Sequence, residues 1–193
     1  MTFDEQLANG QLGESLIARW LRDRGFHVLP AYEKEIDNGK GPRLFTASST
    51  ATAQLISPDL FVIGKGKFMW IEAKHKTRFS WYGKAGYFTT GVDLRHFGDY
   101  CHVADATQLP VWLLFLHRCG DTWTEDVRRW NAPAACPVGL FGREIGYLRQ
   151  AKNQSHTSQE WGQTGMIYWR PFVHLLQLAA LDEVVPQYAM AAD

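Results

Sequence analysis

The sequence predicts a mixed α/β domain in which helices flank a central sheet that contains both parallel and antiparallel strands. Three observations predict it. A capped segment of helical period opens the chain, and two apolar strands meet at the Gly64–Lys67 turn. A continuous apolar run, Val111–Leu116, then implies a strand covered on both faces. With 193 residues, 46% of them hydrophobic, the chain is long enough for one domain with a full core. We read 1–193 as one unit, with a core at about 2–118 and a C-terminal α/β extension at about 119–193.

Net charge is zero, so nucleic-acid binding would have to come from a local patch. The basic residues are uneven. From Lys65 to Lys84 the chain carries Lys65, Lys67, Lys74, Lys76, Arg78 and Lys84 against one acid, Glu72. Cys101, Cys119 and Cys136 show no CxxC spacing, which points to reduced thiols and no zinc site. The N-terminus lacks the basic-then-apolar order of a signal peptide. The run Val111–Leu116 is far too short to span a bilayer, so the expectation is a soluble, cytoplasmic protein without a membrane partner.

Thr2-Phe3-Asp4-Glu5 has capping-box spacing. The helical pattern continues through Leu7, Leu12, Leu16, Ile17, Trp20 and Leu21 and stops before Gly25, and Asn9-Gly10 leaves open whether it is one helix or two. Gly25–Pro30 reads as a strand. Ala31–Ser57 shows no period and reads as a long loop, where Lys40 and Arg43 suit a flap that contacts nucleic acid. Leu60–Ile63 and Phe68–Ala73 read as an antiparallel hairpin. Gly91–Ala106 reads as a helix with Val92, His96, Tyr100 and Val103 or Ala104 on one stripe, and Val111–Leu116 as the central strand. In the last third Gly120–Trp130 is polar and turn-like, Gly139–Tyr147 a strand or short hairpin, and Gln150–Gly165 polar and exposed. Met166–Trp169 reads as a strand and Pro171–Val184 as a helix.

The hairpin carries the chemistry. A symmetric two- or four-residue loop pairs Ile63 with Phe68, Val62 with Met69 and finally Asp59 with Glu72. Alternation puts Glu72 and Lys74 on one face and His75 on the other. Like charges opposed across a ladder are destabilising, and a divalent cation removes that conflict. Magnesium suits it, being a hard ion held by one or two carboxylates plus water and substrate phosphates. Glu14 is a second anomaly, within about 20° of both Leu7 and Leu21 on the apolar stripe. After Lys74, basic and aromatic residues interleave; Lys76, Arg78, Trp81, Tyr82 and Lys84 suit phosphate contacts and stacking.

Pro58-Asp59, twelve residues, then Glu72-Ala73-Lys74 resembles the PD-(D/E)XK nuclease superfamily. The order helix, strand, hairpin, helix, strand matches its αβββαβ restriction-endonuclease-like core over about Thr2 to Arg118. The resemblance implies metal-dependent hydrolysis of DNA phosphodiesters by in-line attack of a metal-activated water, in an endonuclease or a Holliday-junction-resolvase-like enzyme. Mg²⁺ would be the cofactor, with Mn²⁺ substituting. Asp59 and Glu72 would be ligands, joined by the Ala73 carbonyl, and Glu14 matches the first-helix Glu of the resolvase-like branch. Lys74 would hold or deprotonate the water, or neutralise charge on the phosphate. Duplex or branched DNA would be the partner, and a homodimer would suit two-strand cutting. The alternative is a nucleic-acid-binding or assembly module on the same fold that does not cut. GxxxxGK[ST], HExxH and GxSxG are absent, which leaves nucleotide hydrolysis, zinc proteolysis and serine esterase chemistry without support.

Overall fold

The computed structural model describes residues 3–30, 43–46, 53–151, 155–156 and 165–186. Helix α1 (Phe3–Asp23) runs unbroken through Asn9-Gly10; Thr2 lies outside the described residues. It buries Leu16, Ile17, Trp20 and Leu21. Two backbone bonds close its C-terminus, from Gly25 N–H to the Arg22 carbonyl and from Phe26 N–H to the Leu21 carbonyl, with Gly25 at φ 82°. That Schellman arrangement needs a left-handed residue, which Gly adopts without strain. The chain then enters β1 (His27–Pro30), an edge strand antiparallel to β4.

The expected long loop is partly ordered into a second, small sheet. β2 (Arg43–Thr46) and β3 (Ala53–Ile56) pair antiparallel, Arg43 opposite Ile56. Four-residue strands are too short to show a period in sequence. The central hairpin follows as β4 (Leu60–Gly64) and β5 (Lys67–Lys76). Then come β6 (Ser80–Tyr82), β7 (Tyr87–Asp93), α2 (Leu94–Thr107) and β8 (Val111–His117). The expected helix at Gly91–Ala106 therefore begins late, because Gly91–Asp93 finish a strand. A Cβ on Gly91 would lie 2.1 Å from the Ile167 carbonyl oxygen, so its glycine lets the paired strand approach. Asp93 then caps α2 by accepting from Arg95 N–H.

Beyond the core lie α3 (Thr124–Trp130), β9 (Gly139–Glu144), α4 (Ile145–Gln150), β10 (Ser155–His156), β11 (Met166–Trp169), β12 (Leu176–Ala179) and α5 (Leu181–Val184). Gly120–Trp130 thus contains a short helix, and most of Gln150–Gly165 falls outside the described residues. The helix expected over Pro171–Val184 is instead a turn, β12 and a four-residue helix. Phe172 has φ 62°, which ends any right-handed helix there, and Leu176–Ala179 pair with the open edge of β9.

The main sheet has strand order β1-β4-β5-β8-β9-β12, with β5 and β8 parallel and the other neighbours antiparallel. β8 is central, as its apolar run requires. Leu113 and Phe115 enter one core, with α2, α4 and the second sheet (β10-β11-β7-β6); Leu114 and Leu116 enter the other, beneath α1 and α5. In chain order α1, β1, β4, β5, α2 and β8 make the αβββαβ arrangement, interrupted by β2–β3 and β6–β7. No helix among the described residues is long and apolar enough to cross a membrane.

Candidate metal and catalytic site

The turn of the hairpin is Lys65-Gly66, with φ 53° and 71°. Two consecutive positive φ values give the I′ geometry that matches strand twist in a two-residue loop. The register is the expected one, with Ile63 opposite Phe68 and Val62 opposite Met69. The ladder ends at Leu60 opposite Ile71. Asp59 therefore sits one residue beyond the last pair, beside Glu72, and its Oδ2 accepts from Ala73 N–H at 2.9 Å. In an extended strand the N–H and C=O of one residue point to the same edge. The Ala73 carbonyl thus faces the edge where Asp59 lies and where β4 has ended.

Alternation carries Trp70, Glu72 and Lys74 toward α2. Glu72 is 2% exposed. Its Oε1 is held twice, by the Tyr100 hydroxyl donating at 2.6 Å and by the Lys74 ammonium. Its Oε2 is buried and has no hydrogen-bond partner. Burial pulls the Lys74 pKa down, but the opposing charges of Glu72, Asp59 and then Glu14 prevail and hold it above the ordinary lysine value. Burial, followed by the Glu72 charge, pushes the Tyr100 phenol well above its ordinary value. Both groups are donors at neutral pH. A raised pKa disfavours Lys74 as the group that deprotonates water and favours it as a fixed positive charge.

Glu14 reaches this cluster from the other side of the sheet. Gly13 packs α1 directly on β5, since a Cβ there would lie 2.3 Å from the Cβ of His75. His75 faces that helix, its Nδ1 2.7 Å from the Asn9 carbonyl oxygen, and is turned away from Glu72 as alternation requires. Among the candidates, Glu72, Asp59 and Glu14 thus each come within electrostatic reach of Lys74. Tyr100 is the added member. The i, i+4 stripe of α2 includes it, but a buried Tyr reads as core until its hydroxyl's partner is seen.

Among the described residues, no group of three or more His, Cys, Asp or Glu side chains is close enough to hold a metal ion. Magnesium does not require one, since water and phosphate complete its octahedron. The donor set fits that mode: Asp59, Glu72 with its unpartnered Oε2, and the Ala73 carbonyl.

The basic and aromatic stretch runs from the end of β5 through a bend into β6 and the turn after it. Lys76 continues the face of Glu72 and Lys74 and is half-buried; burial and then the Lys74 charge pull its pKa down. Arg78 donates to the Asp121 carbonyl at 2.8 Å and lies 4.1 Å above the Trp123 ring. Trp81 and Tyr82 are half-buried in β6, against Phe88 at 4.9 Å and Tyr87 at 5.7 Å. Lys84 is exposed in the β6–β7 turn and Arg43 opens β2. Lys40 lies outside the described residues.

No family model matches the chain, and no curated protein does. Among solved structures, Hjc, a Holliday junction resolvase from the archaeal hyperthermophile Archaeoglobus fulgidus, is similar with 7% identity and a TM-score of 0.44, over 83% of this chain and 88% of that one. At that score the likeness carries no argument about this chain's chemistry, which rests on the residues above.

Proposed function

We propose that this chain is a metal-dependent nuclease that hydrolyses phosphodiester bonds in duplex or branched DNA. One observation carries the reading: a buried glutamate at the open end of the hairpin, with one oxygen fixed by Lys74 and Tyr100 and the other without a partner. A buried, unpaired carboxylate oxygen costs more than the ~1–3 kcal/mol typical of a neutral group, and a cation relieves that cost. Asp59, Glu72 and the Ala73 carbonyl would hold Mg²⁺ or Mn²⁺, with Glu14 adding negative charge. Such an ion supplies Lewis acidity toward phosphate and lowers the pKa of bound water.

The chain's own residues do the rest. Tyr100 fixes the rotamer of Glu72 and keeps Oε1 occupied. Asp59 is locked to the β5 backbone by Ala73 N–H. Lys74, held protonated, stabilises the negative charge that develops on phosphorus-bound oxygens.

A silent DNA-binding or assembly module on the same fold is the second reading. The Lys74–Glu72 ion pair favours it, because the pair already compensates part of the buried charge. Labelled linear duplex, single strand, flap and four-way junction, incubated with Mg²⁺, Mn²⁺ or EDTA, separate the two. Cleavage that needs metal and disappears in Lys74→Ala establishes the enzyme. Binding without cleavage under every condition establishes the module.

A further inference from the structure

The aromatic residues that the sequence offers for stacking, Trp81 and Tyr82, have their rings against Phe88 and Tyr87. Two other tryptophans present theirs to solvent. Trp123 is 54% exposed and Trp130 43% exposed, at opposite ends of α3. Trp123 is the N-cap of α3, with φ −56° and ψ 129°, and Trp130 is its last residue, so the two lie roughly 10 Å apart along the helix axis.

Each ring is backed on one side. The Arg78 guanidinium lies 4.1 Å above Trp123 and is fixed by its bond to the Asp121 carbonyl. Trp130 packs on Gly83, where a Cβ would fall 2.4 Å from its Cδ2, and Arg129 lies 5.2 Å from its ring centroid. The segment that carries them is closed by backbone bonds from Thr122 N–H to the Ala134 carbonyl and from Cys136 N–H to the Gly120 carbonyl. Arg118 and Cys119 N–H both donate to the Thr77 carbonyl, which ties the segment to the end of β5.

Charge complements the rings. On the segment itself Arg118, Arg128 and Arg129 are matched by Asp121, Glu125 and Asp126, and Glu125 pairs with Arg128 at 2.7 Å. The surplus comes from outside the segment: Lys76 at the end of β5, Arg78 two residues beyond it, and Lys84 in the β6–β7 turn next to Gly83. Lys74, Lys76 and Arg78 lead from the candidate site toward Trp123.

We propose that Trp123 and Trp130 form a platform on which unpaired DNA bases stack, so that the preferred substrate carries a single-stranded or unstacked segment next to a duplex. This rests on the nuclease reading, which it makes more specific. Pre-held aromatic faces with cations alongside recognise base planes and backbone without reading sequence. Intact duplex hides those planes, so it has no purchase on the rings.

The test is fluorescence anisotropy in EDTA, where cutting is suppressed, with labelled blunt duplex and the same duplex bearing a single-stranded tail. The wild type is expected to bind the tailed DNA at least about ten-fold more tightly. Trp123→Ala/Trp130→Ala is expected to erase that preference, and Trp123→Phe/Trp130→Phe to keep most of it. Circular dichroism checks that each variant is folded. Equal wild-type affinity for the two DNAs, or an unchanged preference in the alanine variant, overturns the platform. If metal-dependent cleavage of blunt duplex persists in that case, the nuclease reading stands without it. Trp-dependent tail binding with no cleavage under any metal condition keeps the platform and removes the nuclease.

Discussion

Glu72 sits among apolar neighbours with only one of its oxygens satisfied, and the groups that satisfy it come from two elements. Lys74 lies two residues along the same strand, whereas Tyr100 comes from α2 across the core. A Tyr100→Phe variant keeps the ring packing and deletes the donor, leaving Lys74 alone to hold Oε1. Loss of such an orienting partner typically costs about 10–100-fold in metal affinity or activity. We expect that loss together with the modest drop in melting temperature that follows from deleting one buried hydrogen bond to a charge, and unchanged metal affinity and activity would reduce Tyr100 to a packing role. His117 makes a different statement at the same scale. It is fully buried between Phe79 and Phe141, and burial, then the Lys76 charge, outweigh a backbone hydrogen bond with Arg78 and take its pKa from 6.5 to about 3. The unfolded chain binds this proton and the folded one does not. Its contribution is therefore complete above 6.5 and is lost as pH falls from there toward 3. His174 shifts in the same direction. Denaturant midpoints compared at about pH 7.5 and about pH 5 should fall in the wild type. In His117→Phe most of that fall should vanish, and an undiminished fall would assign it to other groups.

At the scale of elements, the contact between α1 and β5 decides whether Glu14 joins the cluster. Gly13 allows it, because any side chain there meets His75. Gly13→Ala should push the helix outward, costing about 1–3 kcal/mol in stability as overpacking does and lowering activity as Glu14 recedes. A variant as stable and as active as the wild type would show that α1 carries no part of the site. The same elements explain what the sequence disclosed. The hairpin was legible because its register is fixed by a two-residue turn and an alternating face, so Asp59, Glu72 and Lys74 could be brought together on paper. β8 was legible because both of its faces are apolar. By contrast, β2, β3 and β6 are three or four residues long and leave no period. Pro171–Val184 carries apolar residues at Phe172, Leu175, Leu176 and Ala179, a spacing that suits a helix as well as a turn followed by an edge strand. Only the open edge of β9 decides between them. Tyr100 was visible on its stripe, but its hydroxyl partner is a tertiary fact that no local pattern encodes.

Across the whole molecule, the sheet separates two cores, and the candidate site lies where elements from both converge. Asp59 and Glu72 come from the hairpin, Tyr100 from the α2 side and Glu14 from the α1 side. A ligand that binds there only in the folded state stabilises all of these elements together. The most direct measurement is a calorimetric titration of Mn²⁺ into the metal-free protein, with Glu72→Gln and Asp59→Asn run alongside. Saturable binding that raises the wild-type melting temperature and is lost in both variants is the expected result. Binding that survives in Glu72→Gln, or a wild type that binds no metal, would contradict it.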